Sequence, residues 1–291
     1  MSTIPFEARI AEFGGSKLHY RIAGSASRLP DIVLDHGGGG SADDWSHVVP
    51  LLAAHGRVFS YDRAGMGSSP SDGLGSGAPA VTARLAQLVA QAGVRKPFLL
   101  AGYSLGGLYA RHYAGLHPQD VAGLALVDAT PTTLEIPQAR IRKALRTVGL
   151  LHWVARSGLG TLYWVLSGRK ISADKFKRMV ARLAAPGYPQ SMRDEIDAIT
   201  SVKAEVARVA SQLQHPTLAV IAGVAPSKKL DAELARVRVL HDQLAATAPA
   251  PLSRQVMVKD ANHSTLLSDP RHAEEVAAHV LTFARSLPSN P

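Results

Sequence analysis

The segment Gly102-Tyr103-Ser104-Leu105-Gly106 is the part of the sequence best suited to chemistry. It stands between a short apolar run, typical of a strand, and a stretch with helical spacing that extends to His117. A serine in a tight strand-to-helix turn has its hydroxyl lifted clear of the sheet, and the glycines on either side prevent collisions with the neighbouring strand and helix. The pattern predicts Ser104 as a nucleophile, with the N–H of Leu105 facing a developing oxyanion.

A serine nucleophile needs a base, and the chain has 12 histidines. His263 follows the last predicted strand, Gln255–Val258, so it is expected at the carboxyl edge of the sheet, where open α/β folds place their sites. His36 is better suited to shaping the glycine run that follows it than to transferring protons. We therefore predict His263 as the general base.

Two carboxylates remain candidates for the residue that orients this histidine. Asp128 ends the strand Leu124–Val127, which follows the helix after Ser104, whereas Asp231 stands at the start of a later predicted helix. A rigid strand end positions a carboxylate better than a mobile segment does. Asp128 is therefore predicted as the acid, and Asp231 stays open as the alternative.

A run of glycines, His36-Gly37-Gly38-Gly39-Gly40, follows another short apolar run. Attack on an ester or amide carbonyl builds negative charge on its oxygen, and each preorganised backbone N–H donor stabilises that charge by about 3–4 kcal/mol. Consecutive glycines allow the backbone to approach the reacting atoms closely. The run is therefore interpreted as an oxyanion loop.

The elements that must position these residues alternate between strands and helices, which predicts a parallel sheet covered on both faces. The predicted strands are Phe6–Phe13 and Lys17–Ile22 (a hairpin at Gly14-Gly15), Ile32–Leu34, Val58–Tyr61, Phe98–Ala101, Leu124–Val127, Leu218–Ile221 and Gln255–Val258, and helical spacing covers Trp45–Ala54, Val81–Ala92, Asp231–Ala246 and Arg271–Phe283. From 131 to 213 the pattern is helical throughout. We predict an α/β core of residues 1–130 and 214–291, interrupted by a helical insertion at 131–213.

Four motifs in this order resemble the α/β-hydrolase fold family over nearly the whole chain. They are the Gly-x-Ser-x-Gly turn, the glycine loop, the turn Asp62-Arg63-Ala64-Gly65-Met66-Gly67-Ser68-Ser69 and the late Asn262-His263. The resemblance implies a mostly parallel sheet with helices on both faces and a helical cap, formed here by residues 131–213. It also implies Gly38 as the oxyanion donor that partners Leu105, with Gly39 as a further candidate. The Asp62–Ser69 turn is expected to be structural.

One departure from the family concerns the acid. The family usually has it after the penultimate strand, but here the segment Ala222–Lys229 holds no carboxylate. Some branches, including the haloalkane dehalogenases, use the position that Asp128 occupies. A serine nucleophile, where dehalogenases and epoxide hydrolases have aspartate, argues against both of those activities.

Composition excludes several other classes of protein. There is no cysteine, the chain is 46% hydrophobic and 19% charged, and the net charge is +9, with most of the excess between 131 and 203. No nucleic-acid-reading module accompanies these basic residues, which are interpreted as solvated helix faces. The spacing of histidines, carboxylates and glycines fits neither a metal nor a nucleotide site, so no cofactor is expected. Without an apolar span or signal segment, a cytoplasmic location and no stable membrane insertion are expected. The sequence gives no oligomeric state.

The combined prediction is a cofactor-independent serine hydrolase that cleaves carboxylic esters through an acyl-enzyme. A carbon–carbon bond hydrolase acting on diketone-like substrates would use the same residues, and a non-catalytic small-ligand-binding protein of the same fold is a third possibility. Trp153 and Trp164 in the predicted cap, together with Tyr103, are candidates for contact with an acyl or aryl substrate. The two tryptophans could instead hold the cap on the sheet.

Overall fold

The fold is centred on an eight-stranded sheet. The computed structural model describes residues 6–135, 138–157, 159, 173–185, 187–210, 214–225, 231–246, 248–249 and 251–288. Its strands are β1 (Phe6–Phe13), β2 (Ser16–Ala23), β3 (Ile32–Asp35), β4 (Val58–Tyr61), β5 (Phe98–Tyr103), β6 (Val121–Val127), β7 (Thr217–Ala222) and β8 (Arg254–Val258). They lie in the order β1-β2-β4-β3-β5-β6-β7-β8. β1 pairs antiparallel with β2, β2 pairs antiparallel with β4, and the remaining pairs are parallel. The predicted α/β-hydrolase architecture is confirmed.

Helices connect the strands and cover both faces. The described α-helices are α1 (Val49–Ala53), α2 (Ala78–Gln91), α3 (Leu105–Leu116), α4 (Gln138–Arg156), α5 (Ala173–Ala184), α6 (Tyr188–Val209), α7 (Asp231–Ala246), α8 (Thr265–Ser268) and α9 (Pro270–Ser286). Two short 3₁₀ helices, Ala42–Trp45 and Pro118–Asp120, add to them. No helix in the described ranges has an apolar stretch long enough to cross a bilayer.

Alternate residues of the central strands face opposite layers. On β5, Leu99 and Ala101 pack with side chains of α1 and α9, while Phe98 and Leu100 pack with side chains of α2 and α3. Because successive side chains of a strand point to opposite faces, both sets are buried and the strand is apolar along its length. This explains why the central strands appear in the sequence as short continuous apolar runs.

Three of the described helices, α4, α5 and α6, fall between β6 and β7 in the chain, within the segment that the sequence predicted to be helical. We refer to them as the inserted helices. Val202 and Val206 of α6 are fully buried against Val81 of α2 and Leu108 of α3. The last of the inserted helices is therefore packed firmly on the helices that follow β4 and β5.

The prediction of one helix over Trp45–Ala54 was wrong. Trp45 ends the 3₁₀ helix, and α1 begins only at Val49, with Pro50 in its first turn. Proline has no N–H and clashes with the preceding turn of a continuous helix, so it is accommodated at a helix start. The chain therefore starts a new helix at this point.

Candidate active site

Ser104 lies at the turn between β5 and α3 in a strained backbone conformation. Its φ of 53° and ψ of −117° are rare for a residue with a side chain, and such positions cost on the order of 1–3 kcal/mol. The neighbouring glycines are needed for packing. A Cβ on Gly102 would lie 2.4 Å from the carbonyl oxygen of Gly106, and one on Gly106 would lie 2.5 Å from the carbonyl oxygen of His36. Any larger residue would separate β5, α3 and the loop after β3.

Hydrogen bonds hold this strained turn in place. The N–H of Ser104 donates to the carbonyl oxygen of Val127 at 3.1 Å, and its own carbonyl oxygen accepts from the N–H groups of Gly107 at 3.1 Å and Thr130 at 3.0 Å. The turn is thereby fixed to the end of β6, and Asp128 is the next residue after that strand. Ser104 and Asp128 thus directly follow two adjacent parallel strands, β5 and β6.

Asp128 and His263 are joined by a short hydrogen bond. The Nδ1 of His263 lies 2.6 Å from Oδ2 of Asp128, whose Oδ1 accepts from the N–H of Ala222 at 3.1 Å. Burial would raise the pKa of Asp128, but the hydrogen bonds from His263 and Ala222 and the attraction of the imidazole lower it below its ordinary value. With Nδ1 donating to the carboxylate, the neutral ring has Nε2 free to accept a proton.

Tyr103 connects the histidine to the turn that carries the serine. Its hydroxyl donates to the carbonyl oxygen of His263 at 2.7 Å, and the two rings stack with centroids 5.0 Å apart. Since Tyr103 directly precedes Ser104, these contacts place the loop that carries His263 beside the turn at Ser104. Tyr103 was predicted as a substrate contact, and here it supports the histidine.

The glycine loop lies against the first turn of α3. A Cβ on Gly38 would lie 3.4 Å from Cδ2 of Leu105, so the two residues are neighbours. Leu105 is the first residue of α3, where N–H groups have no acceptor within the helix. In the part of the chain that the structure describes, the N–H of Gly38 also has no acceptor. The N–H of Gly39, by contrast, donates to Oε2 of Glu195 at 2.7 Å.

A buried group of charges lies behind this loop and was not predicted from the sequence. Arg63 forms an ion pair with Asp35 and donates from Nε to Oε1 of Glu195 at 2.8 Å; all three side chains are at most 3% exposed. Burial raises the pKa of Asp35 against the opposing effect of Arg63. Burial lowers the pKa of Arg63, but Glu195 and Asp35 outweigh it, so the net shift is upward and the guanidinium stays charged.

His36 is held as a neutral ring within the same loop. Its Nδ1 donates to the carbonyl oxygen of Gly37 at 2.8 Å and its Nε2 accepts from the N–H of Arg63 at 3.2 Å. Burial, followed by the positive charge of Arg63, lowers the pKa of His36 well below its ordinary value. With both ring nitrogens occupied, His36 shapes the loop.

The remaining predicted site residues lie elsewhere. Asp231 is the first residue of α7, but its side chain is outside the described residues, as is the whole of Trp164. Trp153 is 59% exposed on α4. The structure thus joins Asp128 to His263, sets His263 against Tyr103, the residue before Ser104, and sets Gly38 beside Leu105. It adds Asp35, Arg63 and Glu195, of which only Arg63 had been noted, as part of a structural turn.

Comparison with known proteins gives the family to which this chain belongs. The family model described as the alpha/beta hydrolase family matches residues 32–279. The match covers most of the sheet, the turn Gly102–Gly106 between β5 and α3 (the elbow) and the loop that carries His263, so the chain belongs to the α/β-hydrolase family.

Among related proteins, the chain is similar to pimeloyl-[acyl-carrier protein] methyl ester esterases. The one from Xanthomonas axonopodis pv. citri is 27% identical over 266 residues, covering 89% of this chain and 96% of that protein. The one from Edwardsiella ictaluri is 40% identical over 117 residues, but the match covers only 40% of this chain and 42% of that protein.

Solved structures share the fold at lower identity. A putative lipase from Acinetobacter baumannii has a TM-score of 0.69 at 19% identity, covering 97% of this chain and 92% of that one. A haloalkane dehalogenase from Bradyrhizobium elkani has a TM-score of 0.70 at 19% identity, covering 97% of this chain and 98% of that one. At these identities the likeness shows the fold alone.

Proposed function

We propose that this protein hydrolyses carboxylic esters through an acyl-enzyme formed on Ser104, with His263 as the base and Asp128 as the residue that orients it. The observation that carries the proposal is the 2.6 Å bond between Nδ1 of His263 and the buried carboxylate of Asp128. That bond fixes the ring in the tautomer that a serine nucleophile requires, beside the turn that carries the serine. Family membership and the esterase names of the relatives support the same activity.

Each step follows from the groups present. The Oγ of Ser104 attacks the ester carbonyl carbon while its proton passes to Nε2 of His263, and the carbonyl oxygen becomes an oxyanion. The tetrahedral species then collapses, and the leaving alkoxide takes the proton from Nε2 and departs as the alcohol. Water attacks the acyl-enzyme by the same route in reverse, which releases the carboxylic acid and restores the serine.

The N–H groups of Gly38 and Leu105 are proposed as the oxyanion donors. Both lie beside the elbow, and the removal of one such donor from a hydrolase costs about 10²–10³ in kcat. Gly39 had also been considered, but its N–H is already bonded to Glu195. We therefore assign the hole to Gly38 and Leu105 alone.

Methyl esters of acyl chains are the first substrates to test, because the relatives named above are methyl ester esterases. We also propose that residues 131–213 act as a cap over the core of residues 1–130 and 214–291. The inserted helix α6 supports this role, since it reaches the glycine loop through Glu195. Side chains of this segment would then decide which acyl groups are accepted.

The test combines covalent labelling with turnover. Wild-type protein is treated with an alkyl fluorophosphonate and digested, and the modified peptide is identified by mass spectrometry. Hydrolysis of p-nitrophenyl esters of different chain lengths and of acyl methyl esters is measured in parallel. Ser104→Ala should lose both label and turnover, whereas Ser201→Ala, which alters an exposed serine of α6, should keep both.

The other outcomes separate the alternatives. A labelled Ser104 without hydrolysis of any ester would favour the carbon–carbon bond hydrolase, which would use the same serine. Absence of both label and turnover in the wild-type protein would favour the non-catalytic binding protein and refute the proposal.

A further inference from the structure

We propose that Glu195, carried by the inserted helix α6, is a positioning residue that aims the N–H of Gly38 at the oxyanion. The inference rests on the proposed function and adds a condition to it, namely that the oxyanion hole is complete only while α6 is seated on the glycine loop. Glu195 does not touch the reacting atoms. It acts through the two peptide groups on either side of Gly38.

The first of these peptide groups joins Gly37 to Gly38. Its carbonyl oxygen accepts from Nη2 of Arg63 at 2.8 Å and from the N–H of Gly40 at 3.1 Å. A trans peptide is planar, and its C=O and N–H point in opposite directions. Holding the carbonyl of Gly37 therefore fixes the direction of the Gly38 N–H, which is the proposed oxyanion donor.

The second peptide group joins Gly38 to Gly39. Its N–H donates to Oε2 of Glu195 at 2.7 Å, while Oε1 of the same carboxylate accepts from Nε of Arg63 at 2.8 Å. One buried carboxylate thus holds the second peptide directly and also holds the guanidinium that fixes the first. A run of glycines has more backbone freedom than any other sequence, so these bonds help to restrict it to one conformation, together with those that Gly37 makes with His36 and Asp44.

Further contacts from α6 converge on the same loop. The hydroxyl of Tyr188 donates to the carbonyl oxygen of Gly39 at 3.0 Å. A Cβ on Gly39 would lie 2.4 Å from Sδ of Met192, and the φ of Gly39 is +63°. If α6 moved away, Arg63 and the Gly39 N–H would lose their shared acceptor. The orientation of the donor is therefore coupled to the seating of a helix about 150 residues further along the chain.

Glu195→Gln is the primary test because it preserves the size of the side chain. Glutamine has one acceptor oxygen and one NH₂ group, so it cannot accept from both Gly39 and Arg63. We expect kcat for p-nitrophenyl butyrate, per site titrated with the fluorophosphonate, to fall at least about tenfold, with KM changed less than about twofold. Affinity for butylboronic acid, whose tetrahedral adduct places an oxygen in the hole, should fall in parallel.

Two further variants keep the test decisive. Glu195→Asp retains the negative charge beside Arg63, which provides a second variant if the glutamine variant fails to fold. The shorter carboxylate cannot reach both partners, so its kcat should also fall. Glu205→Gln makes the same change on an exposed part of α6, where the carboxylate pairs only with Arg208 among the described residues, and should be neutral.

Two results would overturn the inference. If the position-195 variants keep the wild-type kcat per titrated site and the wild-type affinity for the boronic acid, Glu195 has a structural role only. The proposed function would then remain intact. If the unmodified protein neither labels at Ser104 nor hydrolyses the ester, the proposed function and this inference fail together.

Discussion

Replacement of Asp128 by asparagine tests the orienting carboxylate most directly. The carboxylate accepts from two donors, Nδ1 of His263 and the N–H of Ala222. Asparagine has a single acceptor oxygen, so one of these donors must face its NH₂ group. If that donor is His263, the ring must hold its proton on Nε2, where it cannot accept from Ser104. In either orientation the imidazolium formed during attack loses its negative partner.

The expected loss of kcat is large, and the substitution should not unfold the protein. A change of this kind in a serine–histidine–aspartate site lowers kcat by about 10⁴. At about 1.4 kcal/mol per factor of ten, that is roughly 5–6 kcal/mol of transition-state stabilisation. Asp128 has a φ of +42°, a conformation that asparagine tolerates well, so the backbone of the variant is not strained further.

The assay is steady-state hydrolysis of p-nitrophenyl butyrate, with folding monitored by circular dichroism. Asp120→Asn is the matched control, since Asp120 directly precedes the opposite end of β6, is buried, and accepts from the hydroxyl of Tyr113 at 2.9 Å. It should lower stability without changing kcat. Asp231→Asn should do little to either. A kcat of Asp128→Asn within tenfold of wild type, or an equal loss in Asp231→Asn, would refute the assignment.

Three further predictions concern strain, packing and pH. Ser104→Gly relieves the φ of 53° and should be more stable than Ser104→Ala by up to about 1 kcal/mol in urea unfolding, both being inactive; equal stability would contradict the strain. Gly106→Ala should prevent folding or activity because its Cβ meets the carbonyl oxygen of His36, whereas Gly149→Ala on α4, with open space around it, should be neutral or slightly stabilising in a thermal melt. Because the pKa of Asp128 is lower in the folded than in the unfolded chain (about 3.8), its ionised carboxylate stabilises the fold above that pH, and this stabilisation is lost as pH falls through the folded pKa. The difference in free energy of unfolding between wild type and Asp128→Asn should therefore narrow from pH 7 to pH 3; a constant difference would contradict the lowered pKa.

The strands and the elbow could be predicted because their signals are local. Buried parallel strands appear as short apolar runs, and all the predicted strands are present, with bounds that differ by a few residues at most. The glycines around Ser104 are required by contacts within the same strand–turn–helix unit and with the adjacent loop. The prediction of one helix over Trp45–Ala54 was wrong because the apolar spacing continues across Pro50, which lies in the first turn of a new helix.

Glu195 illustrates what a pattern shows only in part. It lies on the buried side of α6 with Tyr188, Val202 and Val206, so a carboxylate on an otherwise core-facing stripe was a visible signal. The pattern does not say which group it meets. Its partners, Arg63 and Gly39, are 132 and 156 residues away and belong to different elements.

From the sequence alone one could predict the class of fold, the turn at Ser104 and a histidine after the last strand. Those features depend on residues close together in the chain, where backbone sterics and side-chain periodicity act directly. The tertiary structure was needed to show that Asp128 meets His263, because the order of the strands places β6 between β5 and β7. It also decided that a helix inserted after β6 supplies the carboxylate that holds the glycine loop. Contacts over such separations arise from the packing of whole elements, which no local pattern specifies.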